Sequence, residues 1–464
     1  MDRLGVSYRR IAPADTVRLA KSTTNLFRHR AAAGGPGLDV SDLTGVIGID
    51  TAGRTADVQG MCTYEHLVEE TLRHGLVPYV VPQLRTITLG GAVTGLGIEA
   101  TSFRNGLPHE SVVELDVFTG AGKVVTARPP APGADNEHAA LFRTFPNSYG
   151  SLGYATRLRI RLETAPAYVA LRHVRFHEAD KLAAAIAEVV ERHEWDGVRV
   201  DGLDGVAFAP GEYYLTLATW SDDAPAWLDR RDRPSDYTGQ QIYFRSIQQR
   251  QTDLLTMRDY LWRWDTDWFW CSGAFGAQDP RIRRLWPRRW RRSDVYMRLL
   301  GLDRRFGIAD RLDRRAGRPQ RERVVQDVEV PLERLGEFLD WFDAEIGMRP
   351  VWLCPLVSTG ATSDGSVTGA RWPTYPLEPG RTYVNVGFWG TVHVGPDAAR
   401  SPRNRAIEAK IAELDGHKSL YSDSFYDRDT FDRLYDGANL AEVKRRYDPD
   451  DRFLSLFDKA VTRR

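Results

Sequence analysis

The segment 81–106 constrains this chain most. It reads Val81-Pro-Gln-Leu-Arg-Thr-Ile-Thr-Leu-Gly-Gly91, then Gly95-Leu-Gly97-Ile-Glu-Ala-Thr-Ser102, then Gly106. Glycines this dense in otherwise apolar sequence imply a backbone brought close to something that a side chain would hold away. A pyrophosphate suits such a turn, because successive free N–H groups cradle an anion without a charged side chain. The segment is not a Walker loop, since no Gly-Lys-Ser/Thr follows. It is not a Rossmann fingerprint either, since Gly95 and Gly97 lack a third glycine and no helix is predicted after them.

Around it, short β-branched runs alternate with one strong helix signal. Residues 45–50 and 55–60 predict two strands about a turn. Residues 63–74 predict a helix with Thr63 as N-cap, an apolar stripe of Tyr64, Leu67, Val68 and Leu72, and Gly75 as its stop. Residues 77–82, 114–118, 123–127 and 154–162 predict further strands, the middle pair forming a hairpin about Thr119-Gly-Ala-Gly122. Beyond residue 165 two similar units appear, strand 171–176 with helix 178–193, and strand 324–330 with helix 332–346 and strand 350–356. A strand at 383–388 and a helix opened by Ser401-Pro402 and closed by Gly416 follow.

Charge and composition narrow the function. The 63 basic and 63 acidic side chains cancel, which argues against a nucleic-acid partner. Three cysteines, Cys62, Cys271 and Cys354, make neither a disulfide framework nor a metal knuckle, so no metal is expected and a reducing compartment fits. Residues 1–20 carry Arg3, Arg9, Arg10 and Arg18 and no apolar run, so neither a signal peptide nor a spanning helix is predicted there. The expected location is cytoplasmic, peripheral at most, on the inner face of the membrane. Two runs favour such a surface. Tyr260, Trp262, Trp264, Trp268, Phe269 and Trp270 crowd one of them, and residues 281–292 hold seven arginines with Trp286 and Trp290. Arginine is drawn to anionic headgroups and tryptophan to the interface, so 255–315 is a candidate membrane-facing insertion, with a packed helical excursion as the other reading.

The order of the pieces carries more than any one of them. Lys21-Ser-Thr-Thr-Asn25, the helix before Pro82, Thr88-Leu-Gly-Gly91, Ser102, Gly106 and Gly150-Ser-Leu-Gly153 together resemble the FAD-binding domain of the vanillyl-alcohol-oxidase (PCMH-type) superfamily. Within it, Gly97-Ile-Glu-Ala-Thr-Ser102, Val351-Trp-Leu-Cys-Pro355, Tyr383-Val-Asn-Val-Gly387 and Leu420-Tyr-Ser-Asp423 resemble the delta-24 sterol reductases, from about residue 20 to the end. The resemblance implies an α+β chain with a PCMH-type FAD-binding domain at 1–165, an α/β cap over the isoalloxazine at 166–416, and a C-terminal segment at 417–464 returning to the flavin region. It implies that Lys21, Ser22, Thr23, Thr24, Asn25, Thr88, Gly90 and Gly91 hold the pyrophosphate, that Ser102 and Gly106 lie along it, and that Gly150, Leu152 and Gly153 pass the flavin edge. Superfamily members that tether FAD use a histidine where this chain has Ser22 to Asn25 or Ala92, so non-covalent FAD is expected.

The implied reaction is reduction of an isolated C=C bond in a lipid, with hydride from flavin N5 and a proton from the protein. Candidate proton donors and flavin-side groups are Glu99, Tyr421, Lys418 and Asp423, each also readable as a structural hydrogen-bonding residue. With 56 arginines against 7 lysines, the composition suggests a GC-rich genome. Genomes of that kind make a methylene-branched acyl phospholipid, reduced to a 10-methyl chain, a substrate beside a sterol side chain. NADPH is the preferred electron donor, with a partner flavoprotein or a quinone as open alternatives, and a methyltransferase of the same pathway is a candidate partner. Alcohol or sugar oxidation, and flavin-free lipid binding, are the competing readings.

Overall fold

The computed structural model describes residues 2–21, 26–28, 35–130, 136–228, 233–306, 311, 315, 317, 320–360, 371–395 and 401–462. The α+β expectation holds, with two antiparallel sheets organising the chain. The first contains β1 (Val46–Asp50), β2 (Thr55–Gln59), β3 (Leu76–Pro78), β4 (Val112–Phe118), β5 (Val124–Ala127) and β6 (Tyr154–Thr164), in the order β1-β2-β6-β4-β5, with β3 on the far end of β6. Helix α1 (Tyr64–Leu72) starts where its cap demands: the Thr63 side chain accepts the His66 N–H at 3.3 Å, and Tyr64, Leu67 and Val68 are buried.

The glycine segment is not all loop. It contains α2 (Leu89–Gly95), capped by Thr88, whose hydroxyl accepts the Gly91 N–H at 3.2 Å. Glycine inside a helix costs about 1 kcal/mol against alanine. Here the packing requires it, because a Cβ on Gly90 would lie 2.7 Å from the carbonyl oxygen of Gly60 at the end of β2. The helix therefore sits directly on the sheet backbone. Much of the glycine density is explained by protein against protein rather than by protein against ligand.

The second sheet contains β7 (Tyr168–Phe176), β8 (Gly202–Ala209), β9 (Glu212–Ser221), β10 (Thr252–Thr256), β11 (Arg321–Pro331), β12 (Val351–Val357), β13 (Thr382–His393) and β14 (His417–Lys418). Its order is β10-β7-β9-β8-β12-β13-β11-β14. Helices α3 (Ala179–Arg192), α4 (Leu335–Glu345) and α5 (Pro402–Glu413) cover one face, where Leu182, Ile186, Phe338, Phe342 and Ile411 pack on Val328, Leu353 and Val386. Strand alternation sends the other set of side chains toward the first sheet. On β12, Val351 and Leu353 join the helices, while Trp352, Cys354 and Leu356 join the core shared with the first sheet. The β8–β9 hairpin has no counterpart among the predicted strands.

The chain then returns. Helix α6 (Arg428–Leu434) and helix α7 (Gly437–Tyr447) lead back to the first sheet, and Asp448 accepts the N–H groups of Arg452 and Phe453 at 2.7 and 2.9 Å. Its carboxylate fills the space a Cβ on Gly120 would need.

The aromatic run belongs to the interior. Tyr260, Trp262, Trp264 and Trp268 are each 4% exposed or less, so the membrane-facing reading of 260–270 is corrected to core packing. Each such ring gains far more from burial than an interface would give. Among the described residues no helix is long and apolar enough to cross a membrane.

Candidate active site

Between the sheets lies a cavity of about 1120 Å³. That exceeds the usual 300–1,000 Å³ of a single small-ligand site, leaving room for a dinucleotide and part of a second molecule. Four non-glycine residues of its wall, Leu96, Tyr149, Trp268 and Phe269, have positive φ (63°, 48°, 44° and 58°). Each costs roughly 1–2 kcal/mol, and strain of this kind persists where surrounding structure imposes it, typically at functional sites.

One end of the wall is polar backbone and cations. Thr86, Ile87, Thr88, Gly90, Gly91, Gly95 and Gly97 contribute the α2 side, Tyr149 is bonded to its last turn through the carbonyls of Thr94 and Gly95 at 2.9 and 2.8 Å, and Lys21, Arg28, Gly150 and Lys459 also line the cavity. Arg28 is buried, its guanidinium 4.7 Å over the Tyr149 ring, and donates to the carbonyl of Leu420 at 2.9 Å. Lys459 donates to the carbonyls of Tyr149 and Gly150 at 3.1 and 2.7 Å, and burial depresses it to about 7. Bringing an anion beside it restores its charge. Gln83 Nε2 is buried in the same wall without a hydrogen-bond partner among the described residues, a donor waiting for an acceptor.

The other end is aromatic. Trp268, Phe269, Trp352 and Trp389 come from the second sheet and its insertion, and Phe27 stacks on Trp268 at 5.7 Å. Phe269 lies 4.4 Å from Trp389 between ring centroids. The backbone N–H groups of Phe27 and Arg28 both donate to the carbonyl of Tyr421, at 2.9 and 3.2 Å, which clips the N-terminal loop to the return segment at the cavity.

Within this aromatic end sits one polar group. Asp327 and Tyr421 both line the cavity and lie close enough to shift each other's proton affinity. Trp389 Nε1 donates to the Tyr421 hydroxyl at 3.0 Å, and Asn385 Nδ2 donates to Asp327 at 3.3 Å. Burial raises the Asp327 carboxyl to about 7 and the Tyr421 hydroxyl well above its ordinary value. Glu329, two residues along β11 on the same face, is raised to about 8 by burial and accepts from Ser419 at 2.9 Å. Gly387 makes space for this acid, since a Cβ there would lie 2.4 Å from Asp327 Oδ1.

The sequence candidates separate on this geometry. Lys21, Thr88, Gly90, Gly91, Gly150 and Tyr421 line the cavity. Ser22, Thr23, Thr24 and Asn25 lie outside the described residues. Ser102, Gly106, Leu152 and Gly153 are not in the wall: the Ser102 hydroxyl accepts the Glu99 N–H at 3.1 Å, Gly106 makes room for the Glu110 carboxylate, Leu152 is core, and Gly153 abuts the Phe118 carbonyl. Glu99 also points elsewhere. Its carboxylate takes Arg263 at 3.1 Å, and Arg263 bonds Asp204 at 3.0 Å, in a buried cluster that also fixes Trp264 and Trp352 through Asp204. Burial raises Glu99 to about 7, but it faces a guanidinium rather than the cavity. Lys418 is a buried cation paired with Glu408 at 3.1 Å and bonded to the carbonyl of Asp423 and the hydroxyl of Ser424. Asp423 therefore serves Lys418, and the acid beside Tyr421 is Asp327 from β11.

Asp327, Arg28, Gln83 and Lys459 were missed in sequence. The one available signal was acidic residues at Asp327 and Glu329 on the polar face of an alternating strand, a face that ordinarily meets water.

The residues present fit FAD. An unpartnered buried donor, Gln83 Nε2, and the cations Lys21, Arg28 and Lys459 suit a pyrophosphate, and the aromatic rings suit a planar ring, whereas the first N–H groups of α2 are already taken, Leu89 by Cys62, Gly90 by Gly60 and Gly91 by Thr88. Comparison with known proteins agrees. Residues 14–128 match the FAD binding domain family. The chain is similar to Delta(24)-sterol reductase of Arabidopsis thaliana, 24% identical over 453 residues, covering 91% of this chain and 76% of that one. It is similar to Delta(24)-sterol reductase of Homo sapiens, 24% identical over 434 residues, covering 90% and 76%. Cytokinin dehydrogenase 10 of Oryza sativa subsp. japonica is 37% identical over 110 residues, 24% of this chain and 19% of its own. Residues 14–128 thus match an FAD-binding domain, and nearly the whole chain is similar in sequence to the delta-24 sterol reductases.

Proposed function

We propose that this flavoprotein reduces an isolated C=C bond in a lipid, with Tyr421 delivering the proton and Asp327 replacing it. The observation that carries this reading is a buried carboxyl and a buried hydroxyl, Asp327 and Tyr421, side by side in a cavity wall that Trp268, Phe269, Trp352 and Trp389 also form. Bound and reduced, FAD supplies the hydride. The aromatic wall excludes water and holds an apolar chain, and Trp389 orients the Tyr421 oxygen at 3.0 Å. As Tyr421 gives its proton to the second alkene carbon, the neutral Asp327 carboxyl passes its own to the Tyr421 oxygen in the same step, and Asp327 then recovers a proton from solvent. Lys21, Arg28 and Lys459 are the residues proposed to hold the cofactor's pyrophosphate, with Thr88, Gly90 and Gly91 beside it.

The proposed substrates are a methylene-branched phospholipid, reduced to its 10-methyl chain, or an unsaturated sterol side chain, with NADPH as electron source. Similarity to enzymes named for a sterol double bond supports the bond type, and the wall supports an apolar substrate. The test is anaerobic: protein reduced with dithionite, freed of excess reductant and mixed with either lipid should regain its yellow colour and release saturated product. If neither lipid reoxidises it and polar alcohols bleach the oxidised protein, the oxidase reading replaces this one.

A further inference from the structure

We propose that the segment 281–290 is a docking surface for an anionic lipid bilayer. The seven arginines between residues 281 and 292 divide into two sets in the fold. Three face inward and fasten the segment. Arg283 forks onto Asp267 at 2.6 and 3.0 Å, Arg291 donates to the carbonyls of Gly239 and Trp286 at 2.8 and 2.7 Å, and Arg292 clasps Glu65 at 2.8 and 2.7 Å. Four face outward: Arg281, Arg284, Arg288 and Arg289. Arg288 is paired with Asp236, and the other three have no acidic partner among the described residues.

Apolar side chains are set between these outward charges. Five large hydrophobic residues are exposed among the described residues, and three are here: Ile282 (43%), Leu285 (84%) and Trp290 (49%). Holding Leu285 in water forfeits the transfer free energy of nearly a whole side chain, in a chain that buries its other tryptophans and leucines far better. The internal ion pairs explain why the segment stays outside: its position is fixed by Asp267 and Glu65, so the exposed set is presented by a rigid base.

The layout identifies the occupant. A protein interface concentrates apolar residues at its centre and moves charge to the rim. Here apolar and cationic side chains alternate along one short stretch, which suits a plane where leucine and tryptophan enter the acyl boundary and arginine stays with the headgroups. Excess positive charge fits an anionic leaflet, and a chain with no net charge overall has it concentrated at this place. Trp268 and Phe269 of the cavity wall lie a dozen residues earlier on the same insertion, so a docked surface would lie on the element that also walls the lipid end of the site.

The test is co-sedimentation of the purified, FAD-loaded protein with vesicles of phosphatidylcholine alone or mixed with phosphatidylglycerol. The parent should bind the mixed vesicles, less at high salt, and hardly bind the neutral ones. In the triple variant R281Q/R284Q/R289Q each lost charge should weaken binding about fivefold, giving about a hundredfold in all. Leu285→Ser with Trp290→Ser should weaken it at high salt as well. All five side chains are exposed, so unchanged melting confirms that the fold is intact, and turnover of a detergent-dispersed substrate should stay at the parent's level. Equal binding by parent and triple variant, or no binding by the parent, overturns the proposal. Retention on an RNA oligonucleotide instead of vesicles, or a dimer that Leu285→Ser dissociates, assigns the surface to another occupant and overturns it equally.

Discussion

Replacing Asp327 by asparagine removes the one carboxyl at the aromatic end of the cavity while keeping its shape. Burial lifts this group from 3.8 to about 7, so its proton is held near neutrality where an ordinary aspartate would have lost it. About nine-tenths of the molecules carry that proton at pH 6 and about one-tenth at pH 8. If Asp327 resupplies Tyr421, reoxidation of the reduced protein by an alkene should slow about tenfold over those two pH units. Asp327→Asn should flatten that limb and lower the plateau by roughly 10²–10⁴, the usual worth of a positioned acid. The asparagine oxygen still accepts from Asn385, which bonds Asp327 at 3.3 Å, so the variant should fold and hold FAD.

Stopped-flow return of the yellow colour in a single turnover reads this step apart from flavin reduction. Tyr421→Phe provides the matching control. It should give a similar plateau and also lose the alkaline limb, because Asp327 then has no hydroxyl through which to act. A full-rate Asp327→Asn protein that keeps the parent's pH profile would refute the relay and move the proton donor elsewhere.

Three further outcomes are expected. Glu329 is raised from 4.5 to about 8, so the folded state binds its proton more tightly than the unfolded chain; stability should be greatest at acid pH and fall as pH rises through 8, by at most about 5 kcal/mol. Glu329→Gln should remove most of that dependence in melts between pH 5 and 9, and an unchanged slope would count against it. Arg263→Met leaves Glu99 and Asp204 buried without their shared cation and should cost roughly 3–5 kcal/mol in denaturant melts, whereas Glu99→Gln should reoxidise at the parent's rate; a slow Glu99→Gln step with normal FAD content would return Glu99 to the role of acid. Acid precipitation should release all yellow colour to the supernatant, since no histidine or cysteine lines the cavity among the described residues; colour retained in the pellet would mean a covalent bond.

Much of the fold was legible because its signals are local. Thr63 with the stripe from Tyr64 to Leu72 fixes α1, and alternation fixes β4, β6 and β11 within a few residues. The β8–β9 hairpin escaped because β8, buried along most of its length, carries no alternating polar face, and a short apolar run reads ambiguously. The glycines were read as a ligand cradle. Several answer instead to neighbours far along the chain: Gly90 to Gly60, Gly106 to Glu110, Gly153 to Phe118. A glycine reports that something is close, and only the fold says what. The same applies to the tryptophans of 260–270, whose composition suits an interface but whose contacts make a core.

The candidate site was half legible for a related reason. The cavity wall from Thr86 to Gly97 is one continuous stretch of sequence, so motif order carries it. The acid pair does not. Asp327 and Tyr421 are 94 positions apart and meet because β14 pairs with β11, placing Lys418 opposite Val328 and the Ser419 N–H on the Asp327 carbonyl at 3.2 Å, two residues before Tyr421. Lys418 itself pairs with Glu408 and donates to the Asp423 carbonyl rather than lining the cavity. Of the acid, base and hydroxyl that the return segment offers, strand register delivers only the hydroxyl to the cavity, and the carboxyl it needs comes from a strand whose polar face, read alone, belongs to solvent.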